Sequence, residues 1–562
     1  MHQHGANRPT TPTDWNSVNW RKANRQVRNL RRRIFRATRD GDWKTVNRLQ
    51  KLLLRSYSNR ILAVRRVTQV NHGRHTPGID KVLVKTPAAR GKLVDELRSY
   101  QPWRAKPTKR VYIPKANGTH RPLGIPVMRD RALQAMVKTA LEPSWEARFE
   151  GSSYGFRPGR SCHDAIQQVY NLGRAGLTRH WILDADIEGA YDRINHAFLL
   201  ETLGPCPGRH LIKQWLKAGY MECDTWHATE EGTPQGGVVS PLLLNVALHG
   251  MEAALGISHT RRGRNRTDRA LVRYADDFVV FCRSQSSAEQ ARVELAAWLA
   301  HRGLALSEDK TRIVHIEMGF DFLGWHVRQY RAPTTRSGWK LLIRPSSASI
   351  QRIKERLRTE WLSLRGANVQ AIVSRLNPIV RGWALYHRTQ VASQTFHALD
   401  YFMYQREVRY VRYAHPRKSW TWLRHQYWGA FRQAHNDHWV FGDRQTGQHV
   451  LKFAWIPIRR HTLVRGSASP DDPALQDYWR QRAVAAIRTL SPSKQRLTRR
   501  QGGICPLCGN SLFNAEELHT HHVLPRAQGG TEKDTNLRLL HAYCHQQIHN
   551  GSPPVSNTAR DA

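Results

Sequence analysis

The sequence predicts an α+β chain built from several domains, and three observations carry that prediction. From about residue 81 to residue 335, short β-rich runs such as Trp181-Ile182-Leu183 and Phe278-Val279-Val280-Phe281 alternate with amphipathic stretches such as Leu133, Met136, Val137, Ala140 and Leu141. Segments of helical pattern flank this mixed block on both sides. The last stretch crowds Cys505, Cys508 and Cys544 among histidines, which reads as a small metal-bearing module. A chain of 562 residues also exceeds what one core organises, since domains run to roughly 100–200 residues.

Taken in order, residues 1–80 form a basic helical extension. Between Arg21 and Arg66 there are 16 Lys and Arg against only Asp40 and Asp42, alternating with apolar positions at helical spacing. The turn-rich run from His72 to Asp80 closes it. The α+β unit at 81–335 follows. Helices are expected at about 348–364, 368–388 and 394–414, the second with Ile372, Leu376, Ile379, Val380 and Trp383 on one stripe, so 336–414 reads as a helical bundle. Residues 415–495 are rich in Trp, His and Arg and end in a helix near 473–489. The Cys/His module occupies 496–562.

Charge narrows the partners. Lys and Arg number 88 against 44 Asp and Glu, and a formal charge of +44 points to a polyanion. The 19 Trp and 17 Tyr lying among these basic residues suit base stacking beside phosphate contacts, so nucleic acid is the expected partner. Cys162, Cys206, Cys223 and Cys282 stand singly, which argues against a disulfide framework and for a reducing compartment. Met1 to Thr13 lacks the apolar stretch of a signal peptide, and no run of about 18 apolar residues occurs; a cytoplasmic protein with no membrane partner is expected.

The run from Leu271 to Phe281 places two β-type stretches around a turn holding Asp276 and Asp277, and a hairpin tip would present both acids to one point. A second run, Trp181 to Asp186, also ends in acids. Two Mg²⁺ ions about 3.5–4 Å apart need several carboxylates converging from separate segments, which strand ends supply. Paired Asp residues also populate ordinary solvated turns, so the pattern alone leaves the site open.

Tyr274-Ala275-Asp276-Asp277 with its apolar flanks resembles the catalytic box of reverse transcriptases, and Asp186-Ile187-Glu188-Gly189-Ala190-Tyr191-Asp192 resembles their first catalytic block. The resemblance implies a right-hand polymerase with fingers and palm at 81–335. It makes Asp186, Asp276, Asp277 and the carbonyl of Ile187 the ligands of two Mg²⁺ ions. Asp184 competes, because residues two apart share a strand face; the spacing to Tyr191-Asp192 favours Asp186 and leaves Asp184 a polar structural residue. Tyr112-Ile113-Pro114-Lys115 and Arg121-Pro122-Leu123-Gly124-Ile125-Pro126 resemble the fingers segment that clamps the triphosphate of an incoming dNTP, which implicates Lys115 and Arg121. By the same resemblance Tyr191 excludes a ribose 2′-hydroxyl, Gln235 in Thr233-Pro234-Gln235-Gly236-Gly237 lies beside the nucleotide, and Lys310 meets the leaving pyrophosphate. Gly319 to Trp325 resembles the primer-gripping hairpin. Tyr154 to Ser161 resembles a block of intron-encoded enzymes, a turn near the template.

The flanks point to the group II intron branch. The basic extension through Thr76-Pro77-Gly78-Ile79-Asp80 resembles the segment preceding the fingers in group II intron proteins, and Leu376 to His387 resembles their maturase domain, the polymerase thumb. Trp383 and Tyr386 read equally well as bundle core. This resemblance implies binding of the parent intron RNA, assistance to its splicing, a DNA-binding region at 415–495, and reverse transcription after insertion into target DNA. A reverse transcriptase of another lineage and an intron-RNA chaperone without DNA synthesis are the alternatives.

Cys505-Pro506-Leu507-Cys508 and His541-Ala542-Tyr543-Cys544 have the ligand spacing of a tetrahedral structural Zn²⁺ site. His545 and His549 share a helical face, which leaves room for a second ion. The run His519-Thr520-His521-His522, with Asn536, His545 and His549, resembles an HNH nuclease and implies a ββα-metal module. There His522 becomes the general base, His521, His545 and His549 hold a catalytic divalent ion, and Asn536 orients the loop. His519 departs from related intron nucleases, which commonly carry an acid at that place. A zinc-bearing DNA-binding module without cleavage is the competing reading.

Overall fold

The computed structural model describes residues 12–98, 103–114, 118, 120–260, 265–431, 436–487, 490–514 and 516–549. The basic extension is helical: α1 (Trp20–Arg39), α2 (Trp43–Arg55) and α3 (Tyr57–Arg65). Asn19 and Asp42 cap the first two by accepting from the amides of Lys22 and Thr45. Their apolar stripes, including Val27, Ile34, Val46, Leu49 and Leu53, pack on α4 (Met128–Glu146).

The fingers hairpin pairs β1 (Thr108–Pro114) with β2 (His120–Ile125) in antiparallel register, Ile113 opposite Arg121. The palm is a four-stranded sheet of β3 (Trp181–Asp186), β4 (Ala270–Tyr274), β5 (Asp277–Cys282) and β6 (Arg312–His315), in the order β4-β5-β3-β6. Its central strands β3 and β5 read as continuous apolar runs because both faces are covered, by two separate clusters of buried residues. A second sheet joins β7 (Phe320–Phe322), β8 (Trp325–Arg331) and β9 (Trp339–Pro345). Strand β9 carries this sheet past residue 335.

The thumb contains α5 (Ser347–Ser363), α6 (Val369–His387) and α7 (Ser393–Ala414), where the periodicity places them. Its core continues past residue 414 through Leu423, Tyr427, Trp428, Phe441, Val450 and Phe453. The chain then crosses back over the palm. His461 Nε2 lies 2.9 Å from the buried Asp164 carboxylate, and Arg31 and Arg39 of α1 meet Asp471 and Asp472 at 2.6 and 2.9 Å. The tail forms a hairpin of β10 (Leu518–His522) and β11 (Leu537–His541) followed by α8 (Ala542–His549). It shares one hydrophobic cluster with Trp15, Trp20, Ala23, Val64 and Val67 of the N-terminal extension. Among the described residues no helix is long and apolar enough to cross a membrane.

Candidate functional site

Strand pairing brings the palm acids together. Asp186, the last residue of β3, is the register partner of Asp277, the first residue of β5. Asp276 sits one residue earlier, in the two-residue turn Ala275-Asp276 that joins β4 to β5, with Tyr274 opposite Asp277. Ala275 has φ +60, the left-handed geometry that tight hairpin turns require. Asp184, two residues inside β3, faces Arg312 of β6 at 3.8 Å. Ile187 follows Asp186 and bridges Leu306, with its side chain in the palm core.

The block Tyr154 to Ser161 buttresses this turn. A Cβ on Gly155 would lie 2.4 Å from the Ala275 nitrogen, so only glycine permits the approach. Arg273 is wholly buried; its guanidinium donates to Asn245 Oδ1 at 3.1 Å and to the Ala275 carbonyl at 3.2 Å. Asn245 in turn donates to the Gly155 carbonyl at 2.8 Å. Sequence reasoning gave Arg273 and Asn245 no part, although a charged residue in the apolar strand Leu271-Val272-Arg273 was the available signal.

Crowding these acids raises their affinity for protons, and by the same physics for cations. Burial pushes Asp277 up to about 7, with the Asp276 and Asp186 charges adding to the shift and Lys310 opposing it. Asp276 is raised by burial first and Asp186 next. Asp184 is lifted to about 7 by burial, with Arg312 pulling it back. Lys310 Nζ hydrogen-bonds Asp186 Oδ2, and that bond raises the Lys310 pKa. Three carboxylates from two strand ends form an oxygen donor set suited to Mg²⁺.

Among the nucleotide-contact candidates, Tyr191 and Arg121 feel the charge of Asp276. Tyr191 is partly buried, and its hydroxyl is pushed up by burial and then by Asp276, with Arg121 opposing. Arg121 is exposed on β2. Gln235 Nε2 donates to Asp192 Oδ2 at 3.0 Å, while its carbonyl accepts from Gly124 of β2 at 2.7 Å. The Pro234-Gln235-Gly236 turn thus ties fingers to palm. Lys115 lies outside the described residues. At the thumb, Tyr386 stacks on the buried Trp325 of β8, with ring centroids 4.4 Å apart, and donates to the Leu323 carbonyl at 2.9 Å.

The tail holds two clusters. Cys505, Cys508, His541 and Cys544 are all buried, with ligand atoms within 4.8 Å of one another, as a closed Zn²⁺ site needs. His521, His545 and His549 form the second group within the same limit, more open to solvent. Burial lowers His545 to about 4, helped by the charges of His549 and His521, so the imidazole is held in the neutral form that binds metals. His522 points elsewhere, with Nε2 2.9 Å from Glu532 Oε1. Asn536 fixes the intervening loop, accepting from Leu524 N at 2.8 Å and donating to the carbonyls of Leu524 and Thr531 at 3.0 and 2.9 Å. The His519 ring centroid lies 5.4 Å from that of His545. Arg65 of α3 donates to Cys544 Sγ at 3.3 Å, and Asn24 of α1 donates to the Cys508 carbonyl at 3.0 Å. These two contacts were invisible to sequence reasoning.

Known families match this layout segment by segment. The N-terminal domain of reverse transcriptase matches residues 15–97, and reverse transcriptase (RNA-dependent DNA polymerase) matches 113–327. The group II intron maturase-specific domain matches 350–428, and HNH endonuclease matches 505–551. Protein YkfC of Escherichia coli (strain K12) is 37% identical over a match covering 51% of this chain and 84% of that protein. Group II intron-encoded protein LtrA of Lactococcus lactis subsp. cremoris is 31% identical, covering 46% of this chain and 53% of LtrA, so the chain spans about half of LtrA's length. Maturase-like protein 1 of Euglena gracilis is 26% identical, covering 66% and 76% of the two chains. Fold and sites together define an RNA-directed DNA polymerase of right-hand architecture with an HNH endonuclease domain appended. The chain belongs to the group II intron-encoded reverse transcriptase and maturase family, whose domains imply intron RNA and nucleic-acid substrates.

Proposed function

We propose that the nuclease nicks one strand of target DNA in the cytoplasm and that the palm extends the exposed 3′-hydroxyl along bound intron RNA, giving target-primed reverse transcription and intron mobility. The pairing of Asp186 with Asp277 across β3 and β5, with Asp276 in the adjoining turn, carries this reading. Asp186, Asp276, Asp277 and the Ile187 carbonyl would hold two Mg²⁺ ions. When bound there, such ions acidify an attacking hydroxyl and hold a triphosphate. Arg121 and Lys115 grip the incoming phosphates, Lys310 moves from Asp186 to the leaving pyrophosphate, and Tyr191 blocks a 2′-hydroxyl. Gln235, held by Asp192, packs beside the nucleotide.

In the tail, Cys505, Cys508, His541 and Cys544 would hold structural Zn²⁺. His521, His545 and His549 would bind the divalent ion at the scissile phosphate, while His522, held by Glu532, takes the proton from water. Residues 415–495 contact target DNA, a reading supported by exposed Trp420, Trp422 and Trp439, each with a cationic side chain over its ring. Residues 336–414 serve as thumb and intron-RNA surface.

Extension of a DNA primer on an RNA template tests the polymerase assignment. Wild type should yield Mg²⁺-dependent product and Asp276→Asn none; absence of product from wild type would leave an RNA chaperone. Nicking of duplex DNA tests the tail: His522→Ala should lose roughly 10²- to 10⁴-fold in rate, and retained nicking would overturn the choice of base.

A further inference from the structure

Phe156 stands out beside the catalytic turn. The residue is 49% exposed and its backbone has φ +57, a conformation that bulky side chains rarely adopt. Both flanks are pinned inside the protein. Tyr154 is buried and its amide donates to the Arg273 carbonyl at 2.9 Å, and the Gly155 carbonyl accepts from Asn245. Arg157 is buried in a two-point ion pair with Glu146, at 3.0 Å for each contact, and also donates to the carbonyls of Glu150 and Ser153. The left-handed residue between these anchors turns its side chain outward.

Glycine or asparagine meets such a backbone with less strain, and a polar residue suits solvent better. The chain instead places a large apolar ring there, next to Gly155, whose missing Cβ lets it touch Ala275 of the acidic turn. The ring centroid lies 6.4 Å from that of Tyr274, the residue opening the turn. Arg121 and Tyr191, the triphosphate and ribose candidates, feel the charge of Asp276, the second residue of that turn.

We propose that Phe156 is a substrate-contact residue that stacks on a base or sugar of the primer–template at the polymerisation site. The inference rests on the polymerase reading above. Strained backbone kept at a functional site is held by its surroundings, and an aromatic face beside a nucleic-acid channel binds any base by stacking.

The test compares wild type, Phe156→Gly and Phe156→Trp in the full chain. Binding of a labelled DNA primer annealed to RNA is measured by anisotropy without catalysis, together with thermal stability and the KM for dNTP. Phe156→Gly accepts φ +57 freely, so Tm should hold or rise, while primer–template Kd should weaken by roughly 10-fold or more, the size of one lost base stack. Phe156→Trp should bind within a few-fold of wild type. An unchanged Kd in Phe156→Gly overturns the proposal, and so does an effect confined to the dNTP KM. Primer extension by wild type reads the polymerase assignment separately, because the binding measurement needs no turnover.

Discussion

The palm carboxylates and the Cys/His knot of the tail are both arranged to take metal ions, yet they are built in opposite ways. Asp276 and Asp277 lie at a hairpin tip where burial and mutual repulsion work against their charges. Cys505, Cys508, His541 and Cys544 lie inside a hydrophobic cluster shared with α1 and α3, and Arg65 donates to Cys544. The first site crowds three acids with Lys310 on Asp186 as a counter-charge, a repulsion that a bound cation would relieve further. The second is closed and forms part of the fold. Charge that is only partly compensated suits a site that takes a ligand, whereas a closed set of buried ligand atoms suits one that holds the fold.

The largest effect should separate these two roles within one variant. Asp277→Asn is expected to lower primer extension by far more than the roughly 10- to 100-fold that loss of an outer-shell partner costs a metal site. In metal-free buffer the same substitution should hold or raise Tm, because it removes a buried charge beside Asp276 and Asp186. A lowered Tm would break the contrast. Next comes Cys508→Ser: structural zinc contributes on the order of 10 kcal/mol in small domains. Proteolysis should then attack the tail, and amide exchange should rise in α1 and α3. Unaltered exchange in those helices would mean the tail is a separate bead.

Arg65→Gln should be milder, weakening zinc retention against a chelator by roughly 10- to 100-fold with the hydrophobic interface intact. The smallest effect concerns Glu407, a buried acid of the thumb on which the Lys452 charge only partly offsets burial. Burial pushes its carboxyl up to about 8 from an ordinary 4.5, while Trp428 Nε1 donates to it at 3.2 Å. The folded chain therefore keeps a proton that the unfolded chain releases, so thumb stability falls as pH rises between about 4.5 and about 8. Glu407→Gln should flatten that slope, as read from Tm at the two ends of the window.

Local features were legible in the sequence because local rules produce them. The stripe Ile372, Leu376, Ile379, Val380 located α6, and the apolar flanks of Asp276-Asp277 located a hairpin. The His521, His545, His549 group came from spacing and resemblance together, and those three side chains do converge. The sequence left Asp184 and Asp186 on one strand face; register decides their surroundings, since Asp186 meets Asp277 and Asp184 meets Arg312. Long-range docking had no such signal. Nothing in the spacing of Asn24 or Arg65 announces a partner in the tail, and nothing local marks Arg31 as the partner of Asp471 and Glu142.

The shared cluster between the N-terminal helices and the tail also sets an order of events during synthesis. Asn24 and the Cys508 carbonyl it contacts are 484 residues apart. At about 5–20 residues per second, a nascent chain carries Trp15, Trp20 and Val64 with an unfinished partner surface for on the order of tens of seconds. The extension can complete its apolar face only once the Cys/His module has left the ribosome. Until then those helices are where a folding chaperone would find the chain still open.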